Sequence, residues 1–211
     1  MDAFSRADLV SIFRPISEIK WQEFLSLLPQ NSERFAEKRK AEFIAGRVCA
    51  MEALKKLKGD SFDYSPGIGP NREPLWPANI VGSISHSKTQ VGVVVSDSLS
   101  HLGLDIETPI EKNRYLKISS QFITETERAK FGDDPYGGTL IFSAKEALFK
   151  ALYPSVKTFF GFMDAEVIEI TEDSFKIQVL RADDLFQDYK SLISGSYIEL
   201  NNEIITLVSL P

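Results

Sequence analysis

The sequence predicts an α+β fold built from two similar, tightly joined α+β subdomains in a pseudo-two-fold arrangement, and three observations carry that expectation. Apolar residues make up 43% of the 211-residue chain, ample for a substantial buried core. The order of patterns runs twice from helix to strands, as two layered subdomains require. No Gly/Ser-rich linker and no short repeat separates the halves, so they are expected to pack closely, with residues 1–106 in one subdomain, residues 107–211 in the other, and the working site at their junction.

The elements follow in order. From Ser32 to Leu57 the apolar residues Ile44, Val48, Met51 and Leu54 recur at helical spacing, with Ser32 as the expected cap and Gly59 just past the end. The Pro- and Gly-rich stretch SPGIGPNREPLWP reads as an irregular loop that Leu75 and Trp76 pack down. Short apolar runs at residues 80–85, 91–96 and 102–107 read as three strands that pair as neighbours. Between Lys112 and Lys130 the pattern is helical, with Thr124 and Glu127 spaced for a capping box. A further helix is expected from near Gly138 until just before Pro154, followed by a meander of AEVIEI, SFKIQVL, GSYIEL and EIITLVS.

Composition excludes several classes. A formal net charge of -6 argues against a general nucleic-acid binder, which needs a broad excess of Lys and Arg. No apolar run approaches the length of a membrane span, and MDAFSRADLV lacks the layout of a signal peptide. The single cysteine, Cys49, lies in a helical apolar pattern and reads as a buried thiol, so a cytoplasmic protein is expected. Local basic residues still matter: Lys38, Arg39, Lys40, Arg47, Lys55, Lys56 and Lys58 form either a positive rim or a solvated helix face.

Three short segments carry chemistry. In GLDIE, Asp105 and Glu107 stand two apart on one face of a strand while Leu104 and Ile106 enter the core. Such a pair is either an ordinary edge-strand charge cluster or a site for a hard cation such as Mg²⁺ bound beside phosphate. In FSAKEALFK, Glu146 and Lys150 are four apart on a helix, an ordinary ion pair or a carboxylate and ammonium placed for phosphoryl chemistry. In GSISH, Ser85 and His86 end a short strand where they can hydrogen-bond a ligand phosphate. A nucleophilic serine is disfavoured there, because neighbours in a strand point to opposite faces and no G-x-S-x-G elbow is present.

GSISH, GLDIE and FSAKEALFK, in this order and spacing, resemble the signature blocks of the 4'-phosphopantetheinyl transferase superfamily. With AEFIAGRVCAMEAL and NREPLWP, the chain most resembles the branch of the enterobactin synthetase component D proteins, over roughly residues 38 to 155. The resemblance implies that Asp105, Glu107 and Glu146 bind magnesium and that Lys150 contacts the phosphates of coenzyme A. It further implies that Ser85 and His86 receive the 3'-phosphate region and the pantetheine-side phosphate. Arg47, Arg39, Arg72 and Pro74 would then lie toward the nucleotide. Phe142 stands where relatives often have tryptophan, a change of packing more than of chemistry.

The activity so implied is transfer of the 4'-phosphopantetheine arm of coenzyme A to a serine of an apo acyl, peptidyl or aryl carrier protein, releasing 3',5'-ADP. The protein is expected to act as a monomer in siderophore, polyketide or fatty acid biosynthesis. Glu146 is the nearest candidate to take the serine proton, directly or through water, and Lys150 to stabilise the departing phosphate. A magnesium-dependent pyrophosphohydrolase and a non-catalytic coenzyme A or carrier-binding module remain as alternatives at this point. Replacing Asp105 by alanine is expected to remove most turnover and leave the fold largely intact, on the premise that a metal ligand is exposed.

Overall fold

A computed structural model describes Phe4, residues 6–30 and residues 32–211. The expectation that the amino-terminal stretch is no signal peptide therefore falls partly on residues 1–3 and 5, outside the described ones. The fold is α+β, and its contacts divide it into two compact units that meet in sequence between Leu102 and Gly103. That division lies within the strand His101–Glu107, four residues before the boundary expected after Ile106.

In the first unit, β1 (Val10–Pro15), α1 (Glu37–Lys58), the two-residue strands β2 (Gly67–Ile68) and β3 (Pro74–Leu75), β4 (Val81–His86) and β5 (Gln90–Ser96) follow in order. The large sheet has the order β1-β5-β4, both pairings antiparallel, and α1 packs across all three strands. Its core joins Ala45, Cys49, Ala53 and Leu54 of α1 to Ile12, Val91, Val93 and Val95 of the sheet. Small residues along α1 allow this close seat: a Cβ on Gly46 would stand 2.9 Å from Ile84 Cγ2 in GSISH. Helix α1 starts later than the sequence suggests. Ser32 opens a separate 3₁₀ turn, Ser32–Arg34, and Ala36 occupies the cap position without a side-chain bond. Within SPGIGPNREPLWP the short β2 and β3 pair into a hairpin. Trp76 packs down on Gly82 as expected, whereas Leu75 stays exposed.

The second unit contains β6 (His101–Glu107), α2 (Lys112–Ile118), α3 (Glu125–Phe131), α4 (Pro135–Val156), β7 (Ala165–Ile170), β8 (Ser174–Val179), β9 (Ile193–Leu200) and β10 (Glu203–Leu210). The last four form the expected antiparallel meander. Strand β6 corrects an expectation: it joins this sheet beside β10, giving β6-β10-β9-β8-β7, and does not pair with β5. Asp134 caps α4 by accepting from the Gly137 N–H, and Pro135 takes the first turn, where a missing N–H costs nothing. The helix therefore begins before Gly138, and it continues through Pro154 to Val156, one turn past the expected stop. The Thr124 and Glu127 capping box is present.

Candidate active site

Helix α4 lies against β6 because Gly103 opens the GLDIE segment, and the approach brings the side chains of FSAKEALFK to those of GLDIE. Lys150 Nζ donates to Asp105 Oδ1 at 2.7 Å and to the Leu104 carbonyl at 3.1 Å. The other carboxylate oxygen of Asp105 accepts from Ser143 Oγ at 2.9 Å. Ser143 in turn contacts Thr206 Oγ1 of β10 at 2.8 Å, and that hydroxyl also reaches the Ser143 carbonyl at 2.9 Å. Leu104 and Ile106 are buried as expected, but so is Asp105, only 3% exposed. The premise of an exposed ligand is thus wrong. The Lys150 ammonium and the Ser143 hydroxyl help build its carboxylate into the unit, the kind of partners a buried anion requires.

Electrostatics tie the three carboxylates together. Burial pushes Glu107 up to about 7, and the negative charges of Asp105 and Glu146 add to the shift while Lys150 and Arg114 oppose it. Glu146 is raised as well, mainly by burial, with Lys150 opposing and Asp105 adding. Among the described residues no three His, Cys, Asp or Glu side chains are gathered as a protein-only metal cage would be. The donor set nonetheless fits magnesium, which keeps much of its water and takes one or two carboxylates together with substrate phosphate. A cation there would also relieve the repulsion that raises Glu107.

Glu146 sits beside a buried ion pair that no motif in the sequence marks. Lys145 Nζ donates to Glu127 Oε2 at 2.8 Å and to the Phe122 carbonyl at 2.9 Å, with both charged groups essentially inaccessible. Glu127 also accepts from the Thr124 and Val167 backbone N–H groups, so one carboxylate caps α3, holds β7 and neutralises α4. The capping-box spacing marks Glu127, but its burial, and with it the need for a cation, arises only when β7 and α4 pack over it. Beyond Glu146, Phe149, Phe159, Phe160 and Phe162 line a small apolar cavity of about 120 Å³ that also touches Lys145.

In the first unit the expected nucleotide residues take different positions. Arg39 Nη1 and His86 Nε2 approach to 3.2 Å, joining the start of α1 to the end of GSISH. Ser85 is buried and pairs in register with Gly92, while His86 is half-buried on the opposite face. Arg47 is not on the surface: it is 6% exposed, donates to the Gly67 carbonyl at 3.1 Å and lies 4.7 Å from the Phe43 ring centre. Burial brings its guanidinium down to about 10, and its Nε has no partner. Arg47 thus ties α1 to the β2–β3 hairpin, where Arg72 sits exposed at the turn with φ of 69° and Pro74 pairs with Ile68. Of the lysines considered for a basic rim, Lys38, Lys40, Lys55, Lys56 and Lys58 each have an acidic neighbour.

Both units match known families. Residues 29–96 fit the family model of the 4'-phosphopantetheinyl transferase N-terminal domain, and residues 101–208 fit that of the 4'-phosphopantetheinyl transferase superfamily. Enterobactin synthase component D of Salmonella typhimurium is 34% identical over 176 residues, covering 82% of this chain and 72% of the relative. The Escherichia coli K12 protein of the same name is 37% identical over 135 residues, 62% of each chain. The 4'-phosphopantetheinyl transferase PptT of Mycobacterium tuberculosis is 33% identical over 164 residues, 71% of this chain and 68% of its own. The chain belongs to the 4'-phosphopantetheinyl transferase superfamily, in its enterobactin synthase component D-like branch. Among the described residues no helix is long and apolar enough to cross a membrane.

Proposed function

We infer that the protein transfers the 4'-phosphopantetheine arm of coenzyme A to the serine of an apo carrier protein and releases 3',5'-ADP. The observation that carries this reading is the constellation on β6 and α4: Asp105 held at both oxygens, Glu107 and Glu146 in its field, and Lys150 at 2.7 Å. Carboxylates beside one ammonium are the donors that a pyrophosphate and a hard cation can share, with substrate phosphate completing the cation's ligands.

Asp105, Glu107 and Glu146 are the residues that would hold magnesium. Bound there, the ion supplies charge neutralisation of the pyrophosphate oxygens. Lys150 leaves or shares its bond to Asp105 to face a nonbridging oxygen, stabilising charge on the departing 3',5'-ADP. Glu146, whose carboxyl is raised by burial, is the nearest group to accept the carrier serine's hydroxyl proton, directly or through a water. The serine oxygen then forms its bond to the β-phosphorus as the bond from that phosphorus to the ADP oxygen breaks.

On the first unit, Arg39, His86, Ser85 and Arg72 are the groups for the nucleotide and its 3'-phosphate, with Pro74 shaping the hairpin and Arg47 supporting it from beneath. Such a reaction belongs in the cytoplasm, where coenzyme A and newly made carriers meet. The carrier would be one of siderophore, polyketide or fatty acid assembly.

The test is to incubate apo carrier proteins with coenzyme A and Mg²⁺ and to measure intact mass. Gain of one phosphopantetheine, dependent on both Mg²⁺ and Asp105, is expected. No gain across a panel of carriers, or release of phosphopantetheine at the same rate without a carrier, would overturn the reading.

A further inference from the structure

We propose that Ser143 and Thr206 form a positioning pair that aims the Asp105 carboxylate at the divalent cation; this rests on the reading of Asp105 as a metal ligand. Ser143 lies in FSAKEALFK and Thr206 is the one hydroxyl inside the apolar run IITLV of β10, and both are fully buried. A hydroxyl costs free energy in such a core unless it is bonded, so its presence there calls for a specific partner.

Counting hydrogens gives the pair a direction. Ser143 and Thr206 own one hydroxyl hydrogen each. Ser143 Oγ donates to a carboxylate oxygen of Asp105 at 2.9 Å, so the Ser143 hydrogen is committed to it. Thr206 is then the donor toward Ser143, its hydrogen directed at the carbonyl 2.9 Å away or the hydroxyl oxygen at 2.8 Å. The sequence Thr206 to Ser143 to Asp105 is thereby fixed, and rotation of the carboxylate about its Cβ–Cγ bond would leave a buried donor unpaired.

Lys150 cannot perform this task through the reaction. Its ammonium is partly exposed, 27% by side chain, and on the proposed mechanism it turns toward phosphate. Ser143 has no route to solvent and stays on Oδ2 when Lys150 moves from Oδ1. The hydroxyl pair is therefore the permanent constraint on Asp105 and the ammonium the transient one. Groups that orient a metal ligand from behind commonly set affinity by 10- to 100-fold.

The experiment uses the full chain with coenzyme A present and measures Mn²⁺ affinity by electron paramagnetic resonance, alongside the Mg²⁺ dependence of carrier modification. Ser143→Ala is expected to weaken Mn²⁺ binding roughly 10- to 100-fold and to raise the half-saturating Mg²⁺ equally, with kcat returning toward wild type at saturating Mg²⁺. Thr206→Val, which keeps the volume, should show a smaller loss in the same direction, and the double variant should be no weaker than Ser143→Ala alone. Lowered thermal stability in either variant with unchanged cation affinity would assign the pair a purely structural role and overturn the proposal. Asp105→Asn separates the two readings: if it binds Mn²⁺ as wild type does, the metal-ligand reading fails and the pair's role with it. If it loses binding while Ser143→Ala retains it, only the positioning role fails.

Discussion

A Cβ placed on Gly103 would stand 1.9 Å from the Ala147 carbonyl oxygen and 2.6 Å from the Ala151 amide, so β6 and α4 touch backbone to backbone at that point. The contact brings Asp105 within reach of both Ser143 and Lys150, residues seven apart on the helix. Neither partner is a flexible side chain that can yield. Gly103→Ala should cost about 3 kcal/mol through overpacking and displace the helix, so that transfer falls further than stability does. Urea unfolding beside steady-state kinetics checks both.

Because Asp105 is buried and bonded to Ser143 and Lys150, its removal should disturb the fold as well as the chemistry. Asp105→Ala strands the Ser143 hydroxyl and the Lys150 ammonium, and should lower stability by about 1 to 3 kcal/mol while reducing transfer at least about 100-fold. Calorimetry of the variant against wild type, without metal, measures the first effect.

Glu107 makes metal-free stability depend on pH. Its ordinary value is 4.5 and in the fold it is about 7, so between these pH values the folded chain holds a proton that the unfolded chain releases. The contribution is fully present below about 4.5 and is lost as pH rises through about 7. Mg²⁺ should offset that loss. The rise in Tm on adding Mg²⁺ is therefore expected to be larger at pH 8 than at pH 5.5, and Glu107→Gln should flatten the metal-free profile.

Arg39 should act on the nucleotide with little effect on folding, since its contacts with His86 and Glu42 are at the surface. Arg39→Ala is expected to raise the KM for coenzyme A about fivefold, equivalent to roughly 1 kcal/mol, and to leave Tm nearly unchanged. The KM for 3'-dephospho-coenzyme A should change less, which would assign the lost contact to the 3'-phosphate.

Lys145 and Glu127 form the structural counterpart to Lys150 and Asp105. Lys145→Met leaves the Glu127 carboxylate buried without its cation and should destabilise by about 3 to 5 kcal/mol. Replacing both, by Lys145→Met with Glu127→Leu, should recover part of that loss, as a double-mutant cycle would record.

Local chemistry was the part of the molecule that the sequence made legible. The capping box of Thr124 and Glu127, the end of α1 at Gly59 and the alternation of the four final strands depend on residues within a few positions of one another. Pairing across the chain was not legible in the same way. Strand β1, VSIFRP, is short and ends in Pro15, and it is defined by its pairing with Gln90–Val95, about eighty residues away. Strand β6 looked like a neighbour of β5 by proximity in sequence, whereas its partner β10 begins about a hundred residues later. The same limit governs the candidate site: Asp105, Glu107, Glu146 and Lys150 were found by spacing, but the burial of Asp105 and the hydroxyl of Thr206 behind it exist only once α4 and β10 close over β6.

Cys49 bears on the chemistry of a thiol co-substrate. It is the chain's single cysteine, fully buried in α1, and burial pushes its sulfhydryl up to about 12. Thiol exchange requires an accessible thiolate, so this side chain can neither attack an oxidised form of coenzyme A nor be captured by one. An enzyme whose substrate and product both end in a free sulfhydryl is in this way protected from covalent trapping by its own ligand, and its activity should persist through shifts in thiol redox poise.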